Sequence, residues 1–141
     1  MARLYAQLFS LVFLVVGIGG WFLGTASTRH GVDAQGNLGS VTLHMTWVRD
    51  VLDVLLLALF VYVGFVAGRR TGRLLVGAAG LFLVAIAIAG LVVGDDRPAT
   101  KGFAGMNFPL AINVFDAVIG VLGVLTALGT LEDQETEPAV R

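Results

Sequence analysis

The run LLVGAAGLFLVAIAIAGLVVG, residues 74–94, holds no charged side chain. As an α-helix it reaches about 30 Å, the thickness of a bilayer's hydrocarbon core. Just before it, Gly68-Arg69-Arg70-Thr71-Gly72-Arg73 has room only for a tight hairpin between antiparallel helices. The segment leading into that turn, about 44–67, is apolar apart from Arg49, Asp50 and Asp53 near its start. A further apolar run at 4–24 precedes it, and another at about 108–131 follows residues 74–94. These four runs predict an all-α fold, an integral membrane four-helix bundle over residues 1–131, with 132–141 as an acidic cytoplasmic tail. Residues 25–43, with Arg29, His30, Asp33, Gln35 and Asn37, read as an exposed loop, and 95–107 as a second polar loop on the same side. A cleaved signal competes for the first run, because Gly24-Thr25-Ala26 offers small residues for cleavage, although the run is long for a signal.

Composition supports a membrane environment: 141 residues, 57% hydrophobic and 13% charged, with a mean hydropathy of +0.88, lie outside the range of soluble domains. A net charge of −1, with nine scattered Lys and Arg, lacks the basic footprint that nucleic acid requires. The absence of cysteine excludes disulfides, thiolate metal sites and a Cys nucleophile. Only two histidines occur, His30 in a polar loop and His44 at the start of an apolar run, so neither a bis-His haem nor a three-His zinc site can be built from one chain, and no cofactor or metal is expected. No hydrolase, metalloprotease or phosphate-loop spacing occurs, and a non-enzymatic role is the expectation.

Positive charge sets the orientation, since short loops keep Lys and Arg on the cytoplasmic side. Arg3, Arg69, Arg70, Arg73 and Arg141 fall on one side, and Arg29, Arg97 and Lys101 on the other. Both termini are therefore expected in the cytoplasm, in a cell (inner) membrane. Trp21, Trp47 and His44 near the outer boundary, and Tyr5 near the inner one, take the places of interfacial side chains.

An internal repeat is visible. Gly20-x-x-x-Gly24 aligns with Gly90-x-x-x-Gly94, and Asp50-x-x-Asp53 with Asn113-x-x-Asp116. Each half enters from and returns to the cytoplasm, which predicts two parallel helical-hairpin repeats about an axis normal to the membrane. These glycines, with Gly64 and Gly68, read first as close-packing positions within the bundle, and second as a homo-oligomer interface.

Arg49, Asp50, Asp53, Asn113 and Asp116 form a polar layer about two turns inside the outer boundary. An ionised side chain at mid-bilayer costs about 2.5–3.5 kcal/mol on insertion scales, so these groups must be paired, protonated or hydrated. Arg49 can meet Asp53 at i,i+4, or reach Asp116 or Asp50 across the bundle. The layer is either a structural knot between the hairpins or a binding site for a cation, a proton or a small polar ligand.

The opening Leu8 to Gly17, of the type Leu-Phe-x-x-Val-Phe-Leu-x-Val-Gly, and the polar motifs opening the second and fourth spans resemble the small bacterial four-helix membrane proteins known only as a domain of unknown function, many from actinobacteria. The likeness covers nearly the whole chain, and DoxX-like four-helix proteins are similar in outline. In that family the two helices carry Asn followed three residues later by His; here Asp53 and Asp116 stand where the histidines would be. The resemblance implies a four-helix membrane fold and a location, not an activity. Two functions follow as expectations: an accessory or scaffold subunit of a membrane assembly, with the bilayer and a protein partner around it, or a small transporter or ion/proton-binding protein using the Asp/Asn cluster.

Overall fold

A computed structural model describes the backbone of residues 1–28, 35–38, 41–44, 46–93, 108 and 110–135, and side chains over 1–18, 46–92, 108 and 110–129. Four helices dominate: α1 (Ala2–Thr28), α2 (Trp47–Phe65), α3 (Arg69–Val93) and α4 (Leu110–Glu135). Two strands, β1 (Gln35–Leu38) and β2 (Val41–His44), lie between α1 and α2. They pair antiparallel, Leu38 opposite Val41 and Gln35 opposite His44, so part of the expected open loop is a ribbon. Its cause is local: Val41-Thr42-Leu43 suits a strand, and two residues, Gly39-Ser40, separate the two segments.

α1 packs along α2 and α3 along α4 as two antiparallel hairpins, with sparser contact between them. Only Val66, Ala67 and Gly68 separate α2 from α3. The expected six-residue turn is thus shorter, and Arg69, Arg70 and Arg73 belong to α3, because arginine is a good helix former and Gly72 N–H already bonds Gly68 O at 2.8 Å. α1 and α4 also run beyond the expected spans, to Thr28 and Glu135.

Small residues set the closest approach of the second hairpin. A Cβ on Gly80 would stand 2.7 Å from Gly120 O and 2.8 Å from Val124 N, and one on Gly120 would stand 2.7 Å from Gly80 O. No side chain fits there, so backbone meets backbone. In the first hairpin Gly64 lies against Gln7, whose Cγ would be 3.0 Å from an added Cβ, whereas a Cβ on Gly68 would meet nothing within 4 Å. Gly20, Gly24, Gly94 and Trp21 lie outside the described side chains.

The last turn of α2 exposes carbonyls with no partner inside the helix. α1 supplies them: Arg3 Nε donates to Gly64 O at 2.9 Å, Arg3 Nη2 to Phe65 O at 3.2 Å, and Gln7 Nε2 to Gly64 O at 3.0 Å. Tyr5, expected at an interface, is buried instead. Its hydroxyl donates to Ile119 O of α4 at 2.7 Å, while its ring stacks near Phe9 and Phe60. The reason is steric: Gly123 leaves room for the ring and hydroxyl to enter between the hairpins. Phe13, Phe60, Val63, Val76 and Leu83 complete the apolar centre.

Among the described residues, Arg69–Val92 and Leu110–Gly129 are long and apolar enough to cross a membrane, and Ala2–Ile18 is a shorter apolar helix.

Candidate functional site

The polar layer forms at the end of the bundle where α2 and α4 begin. Thr46 takes the N-cap position of α2 with extended backbone (φ −110°, ψ 152°), and its side chain makes no capping hydrogen bond. A helical stripe then carries Thr46, Asp50 and Asp53 inward, with Arg49 beside them. Arg49, Asp50, Asp53, Asn113 and Asp116 are each at most 2% exposed, so the layer is dry with respect to bulk solvent.

Arg49 is its hub. Nη1 donates to Asp116 Oδ2 and Nη2 to Asp116 Oδ1, both at 2.5 Å, the two-pronged pairing that a planar guanidinium makes with a carboxylate. On its other side, Arg49 Nε stands 3.1 Å from Asp53 Oδ1, close enough for an ion pair but without hydrogen-bond alignment. One guanidinium thus links α2 to α4 while leaning on a second carboxylate of its own helix.

Among the described residues, both Asp50 oxygens, both Asp53 oxygens, Thr46 Oγ1, Asn113 Oδ1 and Arg49 Nε are buried without an aligned hydrogen-bond partner, the Asp53 carboxylate having only its ion pair with Arg49. Asn113 uses its amide N–H on Phe108 O at 2.9 Å. With every carboxylate ionised the layer would hold three negative charges against one positive, and each uncompensated charge in a low-dielectric interior is costly.

Glycines on the partner helices make the space. A Cβ on Gly90 of α3 would overlap Asn113 Oδ1 and stand 2.8 Å from Phe108 Cδ1. A Cβ on Gly17 of α1 would lie 3.5 Å from the backbone and Cβ of Asp53. Asp53 and Asn113 are therefore each seated against a glycine of the hairpin neighbour.

Arg49, Asp53 and Asp116 come together, while Asp50 and Asn113 are buried in the same layer with side-chain oxygens that no described donor reaches. Trp47 is 62% exposed at the start of α2. His44 sits in β2 opposite Gln35, with its side chain outside the described set, as is all of His30. Among the described residues no group of three His, Cys, Asp or Glu side chains is placed to hold a metal ion. Thr46 was missed by sequence reasoning, although a Thr immediately before a helix bearing two acids is a signal of an oxygen-rich terminus. Gly77-x-x-Gly80 and Gly120-x-x-Gly123 were the unread signals of the tight α3–α4 crossing.

No protein-family model, curated protein or solved structure matches this chain.

Proposed function

We propose that the chain is a four-pass inner-membrane protein with both termini in the cytoplasm, acting as a non-enzymatic accessory or scaffold subunit of a larger membrane assembly. One observation carries this reading: the distribution of polarity is inverted relative to a protein folded for water. Every exposed side chain of α2, from Trp47 through Val51, Val54, Leu55, Ala58, Val61 and Tyr62 to Phe65, is apolar or aromatic, whereas its interior face holds Arg49, Asp50 and Asp53. Leu4, Leu8, Leu11 and Val15 of α1, Leu81, Ile88 and Leu91 of α3, and Val114, Val118 and Leu125 of α4 point outward as well. Lipid is the solvent that fits such a surface.

Burial also supports the duplication. In the register set by the Gly and Asp motifs alone, buried Ala2, Ala6, Ser10, Phe13 and Gly17 of α1 match buried Gly72, Val76, Gly80, Leu83 and Ala87 of α3, while buried Tyr5 and Ala79 fall on half-buried Leu75 and Phe9. Likewise Arg49, Asp50, Asp53, Leu56 and Phe60 of α2 correspond to Ile112, Asn113, Asp116, Ile119 and Gly123 of α4, all buried. The proposal includes membership of the small bacterial four-helix membrane family that the motifs resemble. Purification in mild detergent followed by native mass measurement tests the subunit role: a defined oligomer or a stoichiometric partner is expected, and a strictly monomeric species without one overturns it.

A second reading, a small transporter or ion/proton-binding protein, is favoured by the buried Asp50 carboxylate, whose oxygens have no donor among the described residues. Proton or cation uptake into proteoliposomes tests it.

A further inference from the structure

We propose that Thr46, Asp50 and Asp53 form a binding site for one monovalent cation, a hydrogen ion or an alkali-metal ion, with Asp50 as its principal ligand. This deepens the second reading above and rests on it for function, though binding itself needs only the buried layer.

Thr46, Asp50 and Asp53 recur at i, i+4 and i+7, one stripe of α2. Five of their side-chain oxygens are buried without a hydrogen-bond partner, and the two aspartates are 0% exposed. Oxygen-only ligand sets suit hard cations and protons. The nearest protein cation is already committed: Arg49 spends both terminal nitrogens on Asp116 and turns only Nε toward Asp53. The charged groups facing Asp50 among the described residues are Arg49 and Asp53 of its own helix, and Asp116 of α4 stands behind Arg49. From α1, the residue against Asp53 is Gly17, which contributes no charge. Arg49 Nε, 3.1 Å from Asp53 Oδ1, is the one cationic donor close to this stripe, and among the described residues the two Asp50 oxygens and Thr46 Oγ1 have no donor, an arrangement that a positive guest would complete.

The size of that charge follows from what is missing. No three carboxylate or imidazole groups converge as a divalent site would require, among the described residues. Two carboxylates and a hydroxyl, one of the carboxylates already shared with Arg49, fit a single positive charge. The site belongs to one half only: the matching positions of α4 carry Pro109 and Asn113, which lack the hydroxyl and the second carboxylate. Asn113 at the position matching Asp50 also indicates that an amide there is compatible with the fold.

The test uses the full chain in mild detergent and its Asp50→Asn and Thr46→Ala variants. Thermal melting is followed against NaCl, KCl and choline chloride at constant ionic strength, and separately against pH. Wild type is expected to gain on the order of 4 °C for each tenfold rise in the bound cation above its dissociation constant. Asp50→Asn, still monodisperse, is expected to lose that response. Loss of the Na+ or K+ response in Thr46→Ala with the acid response intact identifies an alkali ion as a ligand, whereas an acid response alone in all but Asp50→Asn identifies a proton. Either outcome supports the site. A wild type indifferent to alkali ions and acid, or an Asp50→Asn variant that responds as wild type does, overturns it. Should Asp50→Asn fail to fold, direct titration of wild type with NaCl, KCl and acid decides, and absence of saturable binding of all three overturns the site. Cation binding without uptake in proteoliposomes would refute the transporter reading and leave the site standing; uptake unaffected by Asp50→Asn would do the reverse.

Discussion

Arg49 of α2 and Asp116 of α4 face each other through two parallel hydrogen bonds of 2.5 Å, both side chains buried. The pair joins the first hairpin to the second, where contact between hairpins is otherwise sparse. Removing one partner leaves the other charged and buried, which costs about 3–5 kcal/mol. Arg49→Met is therefore expected to lower the melting temperature in detergent by roughly 6 °C or more, and adding Asp116→Leu should recover part of the loss. Melting of Arg49→Met within about 2 °C of wild type would show that the bridge holds nothing together.

The α3–α4 crossing leaves no space for a methyl group. Gly80→Ala would place its Cβ 2.7 Å from Gly120 O, a backbone atom that cannot turn aside. Overpacking of this kind costs about 1–3 kcal/mol. Gly129→Ala, with nothing within 4 Å of the added atom, should instead stabilise α4 by about 0.5–1 kcal/mol through helix propensity. Melting both variants side by side checks the contrast, and equal effects would contradict the close crossing.

Tyr5 makes two separable contributions. Tyr5→Phe keeps the ring beside Phe9 and Phe60 and loses only the hydroxyl bond to Ile119 O, an expected cost of about 0.5–1.5 kcal/mol. Tyr5→Ala also opens a cavity and should cost about 3–5 kcal/mol, as large aromatic deletions do. The ratio of the two losses is the observable.

The packing of α1 bears on the signal-peptide reading. Arg3 and Gln7 close the end of α2, and Ala6 and Phe13 are completely buried in the core. Cleavage near Gly24 would remove all four. Intact-mass measurement of the membrane-extracted protein is expected to give the uncleaved 14.8 kDa chain; a species lacking its first two dozen residues would show that α1 is discarded.

The sequence was most legible where its signals were long. Four apolar runs placed four helices, and Arg49 with the acids at three- and four-residue spacing marked a polar layer. What could not be read was which partner Arg49 takes: Asp53 at i,i+4 and Asp116 or Asp50 across the bundle were all open, and only the fold, which brings the start of α2 within reach of Asp116 across the bundle, gives Asp116 the two-pronged geometry. Tyr5 was misplaced because an aromatic near a helix start looks alike whether it faces a headgroup or a neighbouring glycine. The ribbon was hidden because four-residue strands carry little periodicity, and the arginines of the short turn because helix ends follow backbone hydrogen bonds, not charge.

Four passes with both ends inside can be read out by cysteine accessibility, which the cysteine-free sequence makes clean. Single variants Asn37→Cys, Gly68→Cys, Thr100→Cys and Ala139→Cys are exposed in intact cells to a membrane-impermeant maleimide. Labelling of positions 37 and 100 from outside, and of 68 and 139 only after permeabilisation, is the expected result. Labelling of position 68 from outside, or of all four only after lysis, would contradict it.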